Sequence, residues 1–157
     1  MEGLYFVCLI ILSAVSICTV DCCMCDFSSR PDKVCMADFV VKAKILREDL
    51  DFGEYGDFPM LKNYTVLYKK KDIFKGSHLL GSGNTAVIQT SGTPWNCGTT
   101  FELNKRYLIS GFESGGEFFT NLCQWNPEYN TLLSKKRREI RNMCRDQSGP
   151  EKATKVV

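Results

Sequence analysis

A chain of 157 residues, 44% of them hydrophobic, can build one sizeable core but has no room for a second domain of similar size. Its net charge of +2 is mild and does not argue for nucleic-acid binding, which normally needs a stronger, clustered basic footprint. The single histidine, His78, has no Ser/Asp or Cys partner pattern around it, which argues against a hydrolase triad.

Taken in chain order, the first segment is an unbroken run of apolar and small residues from Leu4 to Val20 (LYFVCLIILSAVSICTV), ending at Asp21. That is the layout of a secretory leader. The preceding MEG carries Glu2 and no basic residue, and the run is only slightly short of a membrane span, so an uncleaved anchor is the competing reading. Residues 1–22 are assigned to the leader, and the mature protein is expected to be secreted, extracellular, monomeric and without a membrane span.

Cysteine parity tests the cleavage site. Of nine cysteines, Cys8 and Cys18 leave with the leader. A cut between Cys22 and Cys23 keeps Cys23, Cys25, Cys35, Cys97, Cys123 and Cys144, an even set suited to a disulfide framework. An earlier cut keeps Cys22 as an odd thiol. Parity alone leaves the pairing open among many connectivities. Loss of Glu2 and Asp21 leaves 20 basic against 16 acidic residues, a charge of +4 that permits contact with acidic glycans.

Period-two alternation then predicts five strands: "DFVVKAKIL", with Phe39, Val41, Ala43 and Ile45 on one face and Lys42 and Lys44 on the other; "NYTVLYK" from Asn63; "TAVIQT" from Thr85; "RYLISG" from Arg106; and "EFFTNL" from Glu117. The intervening stretches at 51–59, 81–84, 91–96 and 114–116 are dense in Gly, Pro, Asn and Asp, the chemistry of turns. Five short strands of this kind suggest a mainly β fold, a small closed or nearly closed barrel. After Pro127, "NTLLSKKRREIRNMC" turns to helical spacing, with Leu133, Ile140 and Cys144 on one face and Asn130 or Thr131 as the cap. Residues 145–157 are polar, contain Gly and Pro, and read as a disordered tail.

Several local features invite a function. Asn63-Tyr64-Thr65 is a glycosylation sequon, with an unused sequon at a strand start as the alternative. Lys135, Lys136, Arg137 and Arg138 form the densest charge run, either a heparan-type glycan contact or a solvated helix face. The Gly-rich "GSHLLGSGN" misses phosphate-loop spacing and reads as turn. The cysteines form no paired C-x-x-C units, so a structural zinc site is weakly supported. Met24, between two cysteines, is either an inconsequential exposed side chain or one held out for a partner's pocket.

The stretches "CMC", "CMADFVVKAKIL", "DIFKG", "WNCG", "KRYLISG" and "NLCQWNP…LLSKKRR…MC" together resemble the N-terminal, netrin-like domain of the tissue inhibitors of metalloproteinases. The similarity covers residues 23–144, with all six cysteines at matching places. The resemblance implies a five-stranded OB-like barrel with flanking helices and bridges Cys23–Cys97, Cys25–Cys123 and Cys35–Cys144. It also implies an inhibitor rather than an enzyme, with no cofactor of its own. In the family, the α-amine and carbonyl of the first cysteine, here Cys23, chelate the target proteinase's zinc. Met24 would enter the target's specificity pocket, Cys25, Asp26 and Phe27 would continue the ridge, and Pro94, Trp95 and Asn96 would lie beside it. Thr or Ser is usual where Met24 stands and Pro where Phe27 stands, which implies altered selectivity. The region from Glu48 to Lys62 would be a further contact loop. A non-inhibitory netrin-like module binding an extracellular protein or glycan is the alternative, and thiol–disulfide exchange through Cys23 and Cys25 a weaker one.

Overall fold

The computed structural model describes Cys23, Cys25 and residues 34–54 and 56–147, with side chains through Cys144. The leader, Met24, Asp26, Phe27 and residues 148–157 lie outside the described residues. The strands are β1 (Phe39–Asp51), β2 (Leu61–Leu67), β3 (Ile73–Lys75), β4 (Thr85–Ser91), β5 (Arg106–Ser114) and β6 (Glu117–Phe119); the helices are α1 (Ser77–Leu80) and α2 (Ser134–Gln147).

β1 pairs with β2, β2 with β4, β4 with β6, β6 with β5, and β5 again with β1. Five strands thus form a closed ring, the arrangement of an OB-like barrel. Every pairing is antiparallel except β4 with β6, which meet only at Ile88–Phe118 and Gln89–Phe119. The ring strands coincide with the five segments whose side chains alternate. β3 escapes that pattern, because three residues on the edge of β1 are too short to show a period.

The ring interior takes Phe39, Val41, Ala43 and Ile45 from β1, while Lys42 and Lys44 stay half-buried on the outer face. Hydrophobic alternation therefore sets the β1 register, since a slip of one residue would bury both lysines. Val40 is also fully buried, on the opposite face, where it meets Leu108, Val34 and the helix residue Ile140. That second core fastens α2 and the 3-10 turn Val34–Met36 to the outside of the ring.

Three segments depart from expectation. β1 does not stop near Leu46 but runs to Asp51, because a bulge between Ile45 and Arg47 absorbs one residue and pairing with β2 resumes to Asp51–Leu61. Glu48 to Asp51 and Leu61 to Lys62 are therefore strand, and the true loop is shorter than the Glu48–Lys62 region. "GSHLLG" holds the one-turn helix α1, with Leu80 buried, rather than turn alone. α2 starts at Ser134: Asn130 and Thr131 belong to a 3-10 turn, and the Thr131 hydroxyl donates to the Glu128 carbonyl at 2.8 Å instead of capping α2. Leu133 sits before the helix, its carbonyl accepting from the Arg137 N–H, and its side chain is 78% exposed. Ile140 and Cys144 are buried, as the helical spacing predicts. At its far end α2 continues to Gln147, three residues into the stretch read as tail.

Three disulfides join Cys23 to Cys97, Cys25 to Cys123 and Cys35 to Cys144, with Cα separations of 5.4, 5.1 and 4.9 Å. These are the pairs that the resemblance implies. They close stretches of 74, 98 and 109 residues, so each restricts the unfolded chain by about 4 to 5 kcal/mol on chain-entropy grounds.

Candidate functional site

Two of the three bridges end on neighbouring segments. After β4, Thr93 leads into the 3-10 turn Pro94–Asn96, whose end is Cys97 in the left-handed conformation at φ 60°. The N–H groups of Cys97 and Gly98 donate back to Pro94 and Thr93, which closes the turn on itself. A Cβ at Gly98 would overlap the Ser91 carbonyl, so only glycine lets the chain double back here. The Leu122 N–H then donates to the Cys97 carbonyl at 2.8 Å, tying this turn to the segment that carries Cys123.

That second segment is anchored from beneath. Asn126 accepts the Ser110 N–H at 2.9 Å and donates to the Thr120 hydroxyl at 2.8 Å, and that hydroxyl donates to the Ser110 carbonyl at 2.8 Å. Ser110 and Thr120 are buried, so this closed set satisfies polar groups that would otherwise cost free energy. The Asn121 side chain accepts the Cys123 N–H at 3.0 Å, fixing the cysteine's orientation.

Cys23 and Cys25 are thus held against two turns that are themselves tied together and bonded to β5. The Cys23 sulfur lies 3.6 Å from the Pro94 carbonyl oxygen and 3.7 Å from that of Trp95. The Cys23 carbonyl accepts the Cys25 N–H at 3.0 Å. Cys23, Cys25, Pro94, Trp95 and Asn96 are therefore brought together, and Met24, Asp26 and Phe27 lie outside the described residues.

The β1–β2 loop joins this ridge, a feature that turn composition alone concealed. The Gly92 N–H donates to the Met60 carbonyl at 2.9 Å, and a Cβ at Gly92 would overlap the Pro59 carbonyl. This docking brings Phe58 edge-on to Trp95, ring centroids 5.9 Å apart, with side chains 65% and 57% exposed. Phe52 and Met60 are exposed on the same loop. The signal was present in "DFGEYGDFP", where two phenylalanines sit in a segment otherwise read only for its turn residues.

The remaining sequence candidates lie elsewhere. Asn63 is in β2, paired to Asp49 on one side and Gln89 on the other; it is half-exposed, and its Oδ1 is buried without a partner among the described residues. Of the basic run, Lys136 lies 3.5 Å from Glu139, while Arg137 stacks on Tyr129 at 4.6 Å and donates to the Asn130 carbonyl. Lys135 and Arg138 are exposed. Among the described residues, no helix is long and apolar enough to cross a membrane.

Comparison with known proteins places this architecture. The family described as "Tissue inhibitor of metalloproteinase" matches residues 21–149. The chain is 28% identical over 121 residues to Metalloproteinase inhibitor 3 of Gallus gallus, covering 76% of this chain and 54% of the relative. It is 29% identical over 119 residues to Metalloproteinase inhibitor 3 of Xenopus laevis, covering 75% and 52%. Against Metalloproteinase inhibitor 3 of Scyliorhinus torazame it is 25% identical over 135 residues, covering 84% and 59%. The chain therefore spans about half the length of these relatives.

Proposed function

The chain belongs to the tissue inhibitor of metalloproteinase family, and from that premise we propose that it is a secreted inhibitor of zinc metalloproteinases. It acts by occupying a target rather than as an enzyme. The observation that carries this reading is the double clamp on Cys23 and Cys25, which holds these two half-buried residues beside the exposed Pro94, Trp95 and Asn96.

A catalytic zinc keeps three protein ligands and an open position, and hydrolysis depends on the water held there. Cleavage of the leader before Cys23 turns the Cys23 nitrogen into an α-amine one backbone step from the Cys23 carbonyl. Together they form a bidentate ligand for the target's zinc. The carbonyl has a second lone pair beyond the one used by Cys25. The amine must be neutral to bind, and with a free α-amine titrating at about 7.7 to 8.0, deprotonation near neutral pH costs little. A ridge fixed in advance by two disulfides avoids much of the ordering cost of binding.

Around that ligand pair, Met24 fills the target's specificity pocket, and Asp26 and Phe27 extend the contact. Met is long, apolar and adaptable, so this chain favours targets with deep pockets. The Phe58–Trp95 pair forms a second contact on the loop side.

Intact mass of the exported protein, followed by an inhibition panel, tests the reading. A mature chain beginning at Cys23 with no free thiol should inhibit, and acetylating its α-amine or adding one alanine before Cys23 should abolish inhibition. Retained inhibition after either change would sink the chelation mechanism.

A further inference from the structure

The sequon Asn63-Tyr64-Thr65 falls within β2, where strand alternation decides which of its residues reach solvent. Tyr64 is fully buried in the ring core, so Asn63 and Thr65 on either side of it face outward. Both are half-exposed. The Asn63 Oδ1 is the buried end of its side chain, which turns Nδ2, the atom that takes a sugar, toward solvent.

The pairing register carries that outer face round the ring. Asn63 pairs with Gln89 on β4, Gln89 with Phe119 on β6, and Phe119 with Phe112 on β5. Ile88 and Phe118 take the inward positions, so these four residues form one outward row. The Phe112 and Phe119 rings stack with centroids 5.6 Å apart and planes 16° from parallel, and Phe112 is exposed. The Gln89 amide donates to Glu117 at 3.2 Å, two residues back along β6, which draws it away from Phe119. From Asn63 to Phe119 is two strand spacings, about 10 Å, and to Phe112 about 14 Å. A stacked aromatic pair left open on a sheet face is apolar surface still available for cover.

We propose that Asn63 carries an N-linked glycan whose core sugars lie along this row and cover the Phe112–Phe119 pair. The inference rests on export of the chain and not on inhibition of a proteinase. During export, Nδ2 attacks C1 of the first N-acetylglucosamine of a lipid-linked oligosaccharide. The N–C1 bond forms, the C1–O bond breaks, the lipid pyrophosphate leaves and the amide gives up one proton. A pyranose ring presents a C–H face to a phenyl ring, so it excludes water from aromatic carbon while its hydroxyls stay in solvent. Attachment in the same row selects this occupant over a second copy of the chain. A tethered sugar keeps a fixed effective concentration at the rings, whereas a second copy must reach them by diffusion.

The test exports the full chain, with its own leader, from eukaryotic cells in which glycan trimming to complex forms is blocked. Peptide mapping of the protein recovered from the medium should place a high-mannose glycan on Asn63. Thr65→Val removes the sequon and keeps a β-branched side chain in the strand. It should lower Tm by about 2 to 4 °C in the parent and by less than about 1 °C in a Phe112→Ser background, where the sugars have lost their seat. Cutting the glycan to a single sugar with endoglycosidase H, which needs no substitution, should raise binding of an apolar dye about twofold or more. A chain absent from the medium would overturn export and this proposal together, whereas an exported chain with unmodified Asn63 would overturn the proposal alone. Equal Tm losses in the two backgrounds, or dye binding indifferent to trimming, would also overturn it, by showing sugars that extend into solvent. So would a concentration-dependent dimer that Phe112→Ser dissolves, since a second copy would then be the occupant.

Discussion

Gly92 and Thr93 are adjacent beneath the ridge and answer to opposite constraints. At Gly92 the backbone of the β1–β2 loop approaches so closely that a methyl group has no space, the nearest atom being a backbone carbonyl rather than a flexible side chain. Gly92→Ala should therefore cost about 1 to 3 kcal/mol, as overpacking does, and separate Phe58 from Trp95. Thr93 is buried, and its hydroxyl has no hydrogen-bond partner among the described residues. Thr93→Val keeps the shape and removes a desolvated polar atom, so its stability should stay within about 1 kcal/mol of the parent or exceed it. Urea midpoints of the two variants check this, and the reverse ranking would refute the account. Both residues sit in "SGTPWN", where glycine and threonine read alike as turn formers, and only the three-dimensional neighbour separates them.

At the scale of elements, what was legible followed from periodicity. Phe39, Val41, Ala43 and Ile45 alternate with lysines, and that pattern alone assigns the face of β1 that enters the ring. Long-range partners were not legible in the same way. The bulge after Ile45, the pairing of β3 and the docking of Pro59 and Met60 on Gly92 depend on residues distant in sequence. The ridge was legible only as far as its cysteines, through resemblance. α2 shows how spacing misleads at an element's end, since Leu133 fits the apolar stripe but precedes the first helical turn. Ile140, fully buried between Val40, Leu108 and the Cys35–Cys144 bridge, should cost about 2 to 5 kcal/mol when replaced by alanine. Leu133→Ala should be nearly silent, within about 0.5 kcal/mol, because its side chain packs on little. Thermal unfolding of both variants decides the matter, and equal losses would mean that α2 is anchored by its whole apolar stripe.

For the whole molecule, closure of the ring places one tyrosine where its ionisation is linked to global stability. Tyr64 is fully buried, its hydroxyl donating to Glu48 at 2.7 Å and accepting the Phe101 N–H at 3.3 Å. Burial first, and the bond to Glu48 second, raise its pKa well above the ordinary tyrosine value. Below pH 10 the phenol is protonated in both folded and unfolded chains, and stability does not depend on it. As pH climbs past about 10 the unfolded chain releases this proton while the folded one retains it, so the folded state binds more protons and stability falls. Tyr68, buried and bonded to the Leu80 carbonyl, shifts the same way, and so does Lys105, held protonated by Glu102 and Glu128. The three shifts act together in one alkaline window. Tyr64→Phe isolates the first of them. Near neutral pH the variant should lose about 1 to 3 kcal/mol, because Glu48 and the Phe101 N–H lose their partner. Above about pH 10 its stability should decline less steeply than the parent's. Urea unfolding at intervals from pH 8 to 11 should show the two curves converging; parallel curves would mean that Tyr64 does not carry the alkaline loss.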